Sequence, residues 1–440
     1  MENKLFSKKR VSLYTIMACF GLFLFCLYSF NMGIIDALFA NYVKYVIVII
    51  AEILIFVSCI GSIKNAKDKK IKLLITLVVF AFIVMFGNGD LINHRFWYPV
   101  LTICLLFNIY ALSFRKDWQK IALYIIVGFV FEHIIATFFC AAFPNIYMEK
   151  IFPLFLDNKD VLMIQFNKHQ IAGITPHYST NALYLVTGLI VNGYMVFFAD
   201  KKTKKSKIFW IAILGLNIIA LLLTGKRAQV VFFAISAVAV LLLKNRNSIF
   251  KFVKKGIAII IGLALVIWAI SFSIPSITNS FTRSFSSLSD SNVMDSRNLL
   301  YDFAWDQFKG NELFGIGWSN YQYQYEKYAP QKEMNRMHVH CIYLQLLCEC
   351  GVLGAIIVFA LLIMLLVLPI RDIMKHPNSK GIKYVYLFLW FHIYMLLEGI
   401  LGNSLYDMQI FIPYCFVLAI FASVHFDLKK ELPEHVEKKC

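Results

Sequence analysis

Gly351-Val-Leu-Gly-Ala-Ile-Ile-Val-Phe-Ala-Leu-Leu-Ile-Met-Leu-Leu-Val-Leu-Pro-Ile370 runs for twenty residues without a charge and stops at Arg371-Asp372. An α-helix of that length rises about 30 Å, the thickness of the hydrocarbon core of a bilayer. The stretch belongs to one of twelve apolar blocks, at 11–30, 42–61, 72–87, 97–113, 121–143, 180–199, 208–224, 228–243, 256–274, 341–369, 384–400 and 404–425. The chain has 440 residues, 60% hydrophobic and 16% charged, against about half and about a quarter in soluble domains. The expected fold is therefore all-α: one polytopic transmembrane domain over 1–440, with about twelve membrane helices. A disordered chain, a secreted disulfide scaffold and a cytosolic nucleic-acid binder are excluded.

The net charge of +17 does not form one basic face. It sits in short runs between the apolar blocks, which is the pattern that sets membrane orientation. With a cytoplasmic N-terminus, the connections 1–10, 62–73, 114–120, 200–207, 244–255, 371–383 and 427–440 hold 30 of the 43 Lys and Arg residues. Both termini are then cytoplasmic, and no nucleic acid is expected as a partner. The first block follows a basic start but no small-residue cleavage site follows it, so it reads as a span rather than a removed signal. The ten cysteines lie almost entirely inside apolar blocks, where a thiol acts as a small hydrophobe. Cys348 and Cys350 are too close for a zinc knuckle. Neither a metal nor another cofactor is expected.

Two external loops are long, 144–179 and 275–340, and long loops in compact proteins are often functional. The second starts Ser-rich and then carries an expected helix from Asp295 to Lys309, with Asp295 or Ser296 as its cap. Leu299, Leu300, Phe303, Ala304 and Phe308 recur along it at helical spacing, which suits a helix lying on the membrane surface. Gly351 and Gly354 are read as the place where an external helical approach meets the true tenth span.

The candidate site starts from charges in the wrong place. Thr224-Gly225-Lys226-Arg227-Ala228 joins spans seven and eight on the outside, yet holds two adjacent cations. Broken local rules are expected mainly at functional sites. A guanidinium fork suits phosphate, so Lys226 and Arg227 are read as a phosphate or pyrophosphate clamp; the other reading is that both snorkel to the headgroups. Arg297 joins them, placed in the first turn of the loop helix where free N–H groups attract anions; a salt bridge to Asp302 or Asp295 is its alternative. His338 and His340 sit at the outer mouth of span ten. The positive end of the helix dipole would keep either neutral and able to accept a proton.

Weaker candidates are His177, at the end of the first long loop, and Trp318, which follows Gly315-Ile316-Gly317 and leads an aromatic run suited to sugar stacking. Glu132-His133, Glu349 and Glu398 lie within spans, where ionisable groups often have a task or else pair with one another.

Three blocks resemble the O-antigen ligase/O-antigen polymerase superfamily of bacterial surface-polysaccharide enzymes. Leu222-Leu223-Thr224-Gly225-Lys226-Arg227-Ala228 is similar to the family's Leu-Thr-Gly-Ser-Arg turn. Ser296-Arg297, followed by Phe314-Gly315-Ile316-Gly317, is similar to its loop Arg and Gly-x-Gly. His340-Cys341-Ile342-Tyr343-Leu344, running on to Glu349-Cys350-Gly351-Val352-Leu353-Gly354, is similar to its His-Asn-x-Tyr-Leu and Glu-x-Gly-x-x-Gly block, with Cys341 where the family commonly has Asn.

The resemblance implies that Arg227 and Arg297 contact a pyrophosphate and that His340 is essential. It implies an enzyme without metal that moves glycan from undecaprenyl pyrophosphate to an acceptor hydroxyl, at the outer face of a bacterial inner membrane. His340, or its neighbour His338, would be the general base. A polymerase building O-antigen or capsule is the first expectation, with an acceptor glycan or glycolipid and a chain-length regulator as partners. A ligase acting on lipid A-core is the second, and a lipid-linked oligosaccharide transporter the third.

Overall fold

The computed structural model describes residues 12–39, 42–64, 71–85, 97–115, 117–154, 159–168, 170–200, 203–248, 291–328 and 338–428. Among them every regular element is helical. The helices are α1 (Leu13–Leu38), α2 (Val43–Lys64), α3 (Ile71–Met85), α4 (Trp97–Leu112), α5 (Gln119–Ala142), α6 (Lys159–Asn167), α7 (Tyr178–Phe197), α8 (Lys204–Leu223), α9 (Arg227–Lys244), α10 (Ser291–Lys309), α11 (Tyr321–Tyr328), α12 (Ile342–Lys375), α13 (Ile382–Glu398) and α14 (Met408–Leu428). Eleven of the twelve expected spans coincide with helices. The ninth, 256–274, lies outside the described residues, as does most of the Ser-rich stretch. Eight helices (α1, α2, α5, α7, α8, α9, α12 and α14) are long and apolar enough to cross a membrane by length and composition.

The outward faces explain why water is the wrong solvent. Phe82, Ile356 and Ile363 stand 65%, 59% and 60% exposed, an apolar display that only lipid tails would cover at little cost. The centre is aromatic: Trp390, Phe388 and Tyr394 of α13 pack among α7, α9 and α14. Phe388 stacks on Phe421 at 4.5 Å. Several buried polar groups are tied off, as expected where an unpaired one in hydrocarbon costs several kcal/mol. Arg115 joins the basic ends of two helices, donating to Ser58 O and Thr15 Oγ1, both at 2.8 Å, and pairing with Asp117 at 2.7 Å. His133 meets Phe30 O at 3.0 Å and lies against Tyr184, while Asn31 reaches Glu132. For Glu132 and His133 a packing role accounts for both residues.

The long helix α12 breaks where the sequence suggested. Gly351 has φ 62° and ψ −175° inside it, so its ladder of hydrogen bonds is interrupted. The long loop before α12 fills the interruption. Val352 N donates to Glu312 O and Leu353 N to Leu313 O, at 2.8 and 3.3 Å; Ile316 N donates to Cys348 O and Gly317 N to Glu349 O, at 3.1 and 2.8 Å. This clamp needs glycine on both sides. A Cβ on Gly315 would stand 2.4 Å from the Glu349 carbonyl, and one on Gly351 would stand 2.4 Å from that of Leu313. Gly315-Ile316-Gly317 is thus a backbone docking motif for a helix break.

The loop helix differs from expectation in two ways. It starts at Ser291 rather than Asp295, so Arg297 stands in the second turn and the argument from free first-turn N–H groups does not apply to it. Its apolar stripe turns mainly to protein: Leu300 and Ala304 are buried with Tyr321, Tyr325, Val339 and Cys348. Leu299 stays 41% exposed. The stripe exists because α10 must cover α11 and the outer end of α12.

Candidate functional site

The turn between α8 and α9 is built by three residues. Thr224 is buried; its hydroxyl donates to Leu221 O at 2.7 Å and accepts from Lys226 N at 3.2 Å. Gly225 takes φ 71°, which reverses the chain within one residue. Ile171 N donates to Leu223 O at 3.2 Å and fastens the first long loop to this turn. Lys226 caps α9 and Arg227 is its first residue, both half-buried. The Lys226 ammonium reaches Ser179 Oγ at 3.2 Å and sits 5.7 Å from the Tyr178 ring.

His177 is the N-cap of α7. Its Nδ1 accepts from Ser179 N at 3.1 Å. On the far side of the site, His340 has φ 58°, a left-handed conformation that is costly for a residue with a Cβ and tends to occur at functional positions. Its own N–H donates to Asn403 Oδ1 at 3.1 Å, and its Nδ1 meets Asn403 Nδ2 at 3.4 Å. His338 Nδ1 meets Gln345 Nε2 at 3.2 Å; the same amide donates to Glu349 Oε1 at 3.1 Å. The Glu349 carboxylate also accepts from Ser319 N at 2.7 Å and Tyr321 N at 3.0 Å. Glu349 therefore holds the loop after the glycine clamp and, through Gln345, the ring of His338.

The electrostatics show what has been gathered. Burial pushes His340 down to about 3, and the charges of Lys226 and Arg297 push the same way, followed by His338 and His177. Burial takes His338 to about 4, against the bond from Gln345. Burial and then Lys226 take His177 to about 4. Three imidazoles are held neutral beside two cations. They come from the first long loop, the α8–α9 turn, α10 and the approach to α12. Burial, rather than the helix dipole, is the main cause of neutrality at His340.

Trp318 is placed differently from expectation. It is buried at 1% exposure, stacked on Tyr406 at 4.7 Å with Phe80 on edge at 5.6 Å. Its ring is core, so sugar stacking is not carried forward for it. An apolar cavity of about 330 Å³, lined by residues such as Leu77, Phe80, Leu365 and Phe421, contains none of the three histidines. Among the described residues no group of His, Cys, Asp or Glu could hold a metal ion.

Residues the motifs did not reveal come from the α13–α14 connection. Asn403 braces His340. Glu398 is buried at 3% exposure, and one of its carboxylate oxygens has no hydrogen-bond partner among the described residues. It and Asp407 both feel Lys226. The intramembrane Glu398 was a signal; Asn403 gave none, since an Asn in a short loop is ordinarily a turn residue.

An all-α polytopic membrane protein with a cluster of cations and neutral histidines is the class that fold and site define. Residues 210–359 match the family described as O-antigen ligase, and that segment holds Lys226, Arg227, Arg297, His338 and His340. No curated protein matches the chain. Over that segment, about a third of the chain, the match supports the likeness to the O-antigen ligase/O-antigen polymerase superfamily.

Proposed function

We propose that the protein transfers a glycan from undecaprenyl pyrophosphate to an acceptor hydroxyl. The observation that carries this is the convergence of Lys226 and Arg297 on the half-buried His340. A half-buried cation cluster calls for an anion, and a pyrophosphate supplies two adjacent phosphates for forked or multiple contacts. Arg227, next to Lys226, completes the clamp, and His177 lines it. Fixed cations aimed at a leaving pyrophosphate stabilise the charge that builds as its bond to the sugar breaks, a task that side chains perform here without a metal ion. Attack from the face opposite the pyrophosphate would invert the anomeric centre. The charge bias of the connections supports a site on the outer side of the membrane, which we take to be the bacterial cytoplasmic membrane, with both termini in the cytosol.

The acceptor we propose is the end of another lipid-linked repeat, which makes the protein a polymerase of O-antigen or capsule, working with a chain-length regulator. The loose fit to the ligase motifs, with Cys341 where Asn is common, supports this, because polymerases of variable glycans vary widely in sequence. A ligase delivering finished glycan to lipid A-core is the second reading, favoured by the description of the matching family.

The test is a deletion strain complemented with wild-type, Arg227→Ala, Arg297→Ala or His340→Ala protein, each confirmed folded in membranes. Loss of the glycan ladder with each variant is expected; a wild-type ladder from all three would overturn the site. In the deletion strain, single unpolymerised repeats indicate a polymerase and free lipid-linked polymer indicates a ligase. Elongation of lipid-linked repeats by the purified protein alone separates an enzyme from a transporter.

A further inference from the structure

A general base needs an open lone pair. The three neutral imidazoles of this pocket each have the Nδ1 lone pair taken. At His177 the donor is the backbone N–H of Ser179, which has no other role available. At His340 the donor is the Asn403 amide, whose orientation is fixed because its oxygen accepts the His340 N–H. At His338 it is the Gln345 amide, oriented by Val339 N on its oxygen and by the Glu349 carboxylate on its nitrogen. A neutral imidazole carries one hydrogen, and which nitrogen bears it is set by the bond the other makes. All three rings must then carry it on Nε2. Among the described residues none of the three Nε2 atoms has a hydrogen-bond partner. All three residues are half-buried rather than fully enclosed.

We infer that His340 works as an Nε2–H donor to the leaving pyrophosphate, with His338 and His177 as further donors to the same anion, and that none of them removes the acceptor proton. This rests on the glycosyl-transfer reading above and gives His340 a different part in it. A lone pair on the acceptor oxygen forms the new bond to the anomeric carbon. The bond from that carbon to the pyrophosphate oxygen breaks, and its electron pair stays on the pyrophosphate. His340 keeps its hydrogen throughout and stabilises the charge appearing on the phosphate beside it. The acceptor oxygen, once bonded, is a strongly acidic oxonium and loses its proton to water. Neutral donors suit a pocket that already holds Lys226 and Arg297, since a third and fourth full charge there would repel the others.

The experiment compares His340→Gln with His340→Ala in the full-length protein, using purified lipid-linked repeats and folding checked by thermal melting. A Gln amide places an N–H near the position of Nε2 and has no basic lone pair. His340→Gln is expected to stay within about tenfold of wild type in kcat, while His340→Ala loses roughly 10²–10³-fold, the usual effect of removing one such donor. The KM for the donor should change little in either. If folded His340→Gln is as inactive as His340→Ala, the ring acts as a base: the inference fails and the glycosyl-transfer reading stands. If His340→Ala is fully active, the reading itself fails. A ¹⁵N spectrum of the labelled imidazoles gives a check independent of turnover: a hydrogen on Nδ1 of His340 in the substrate-free protein would overturn the assignment.

Discussion

His340 and Asn403 bond to each other twice, the His340 N–H to Oδ1 at 3.1 Å and the Asn403 amide to Nδ1 at 3.4 Å. The two residues are 63 positions apart, so the connection between α13 and α14 fixes the imidazole on the approach to α12. Changing Asn403 therefore changes which nitrogen of His340 carries its hydrogen. Asn403→Asp replaces a donor by an acceptor and draws that hydrogen to Nδ1. Turnover is expected to fall by roughly tenfold or more, through loss of a donor on the reacting side. An Asn403→Asp protein that turned over faster than wild type would argue for proton abstraction by Nε2.

Gly315→Ala should be among the most damaging small substitutions in the chain. Its φ is 71°, and the added carbon would meet backbone atoms of Glu349 and Gly351 at 2.4 and 2.5 Å. Backbone cannot swing aside as a flexible side chain does. Strain of about 1–3 kcal/mol is expected from the conformation alone, with the clash added to it. Thermal melting in detergent is the check, and an unchanged midpoint would mean that the clamp is loose.

Glu349→Gln removes one acceptor from a carboxylate that serves Ser319 N, Tyr321 N and the Gln345 amide. One buried N–H loses its partner, which costs about 1–3 kcal/mol. Gln345 would lose its orientation too, and His338 with it. Both the melting temperature and the turnover should drop. A loss of stability with full turnover would show that Glu349 serves the fold alone.

Acid should weaken the folded state through the histidines. Burial holds His338 and His177 at about 4 and His340 at about 3, below the unfolded value of about 6.5. As pH falls below that value, the unfolded chain takes up protons that the folded one refuses. The stability owed to these neutral rings is full above about 6.5 and declines as pH falls toward the folded values. Each ring contributes a slope of up to about 1.4 kcal/mol per pH unit. Melting should fall between about pH 7 and about pH 5, and His338→Gln should flatten the decline. A flat wild-type profile would contradict neutral burial.

The helices were legible because hydropathy alone dictates them: a charge-free block such as 351–370 has no stable alternative in a bilayer. Lys226, Arg227, Arg297, His338 and His340 stand out because cations and imidazoles in connections that the charge bias assigns to the outside break a pattern. Asn403 did not, because it is paired by folding with a residue on another helix and breaks no local rule. Trp318 misled for a related reason. An aromatic run near a membrane interface looks the same whether its rings face sugar or each other, and only the packing on Tyr406 and Phe80 separates the two. The start of α10 was misjudged by four residues, since Asp295 is as good a cap in sequence as any residue before it. In sequence Gly315 and Gly317 are only a Gly-x-Gly before an aromatic run; their partner, the break at Gly351, is visible only with the loop lying against α12.

That break divides α12 into two levers. The first, Ile342 to Cys350, carries Gln345 and Glu349 and accepts two backbone hydrogen bonds from the preceding loop, while Val352 and Leu353 of the second donate two more to the same loop. The second runs on through the apolar core to Lys375. Because the loop bridges both sides of Gly351, a thicker or thinner bilayer that tilts the second lever pulls on the first, and on Gln345 with it, through those four bonds.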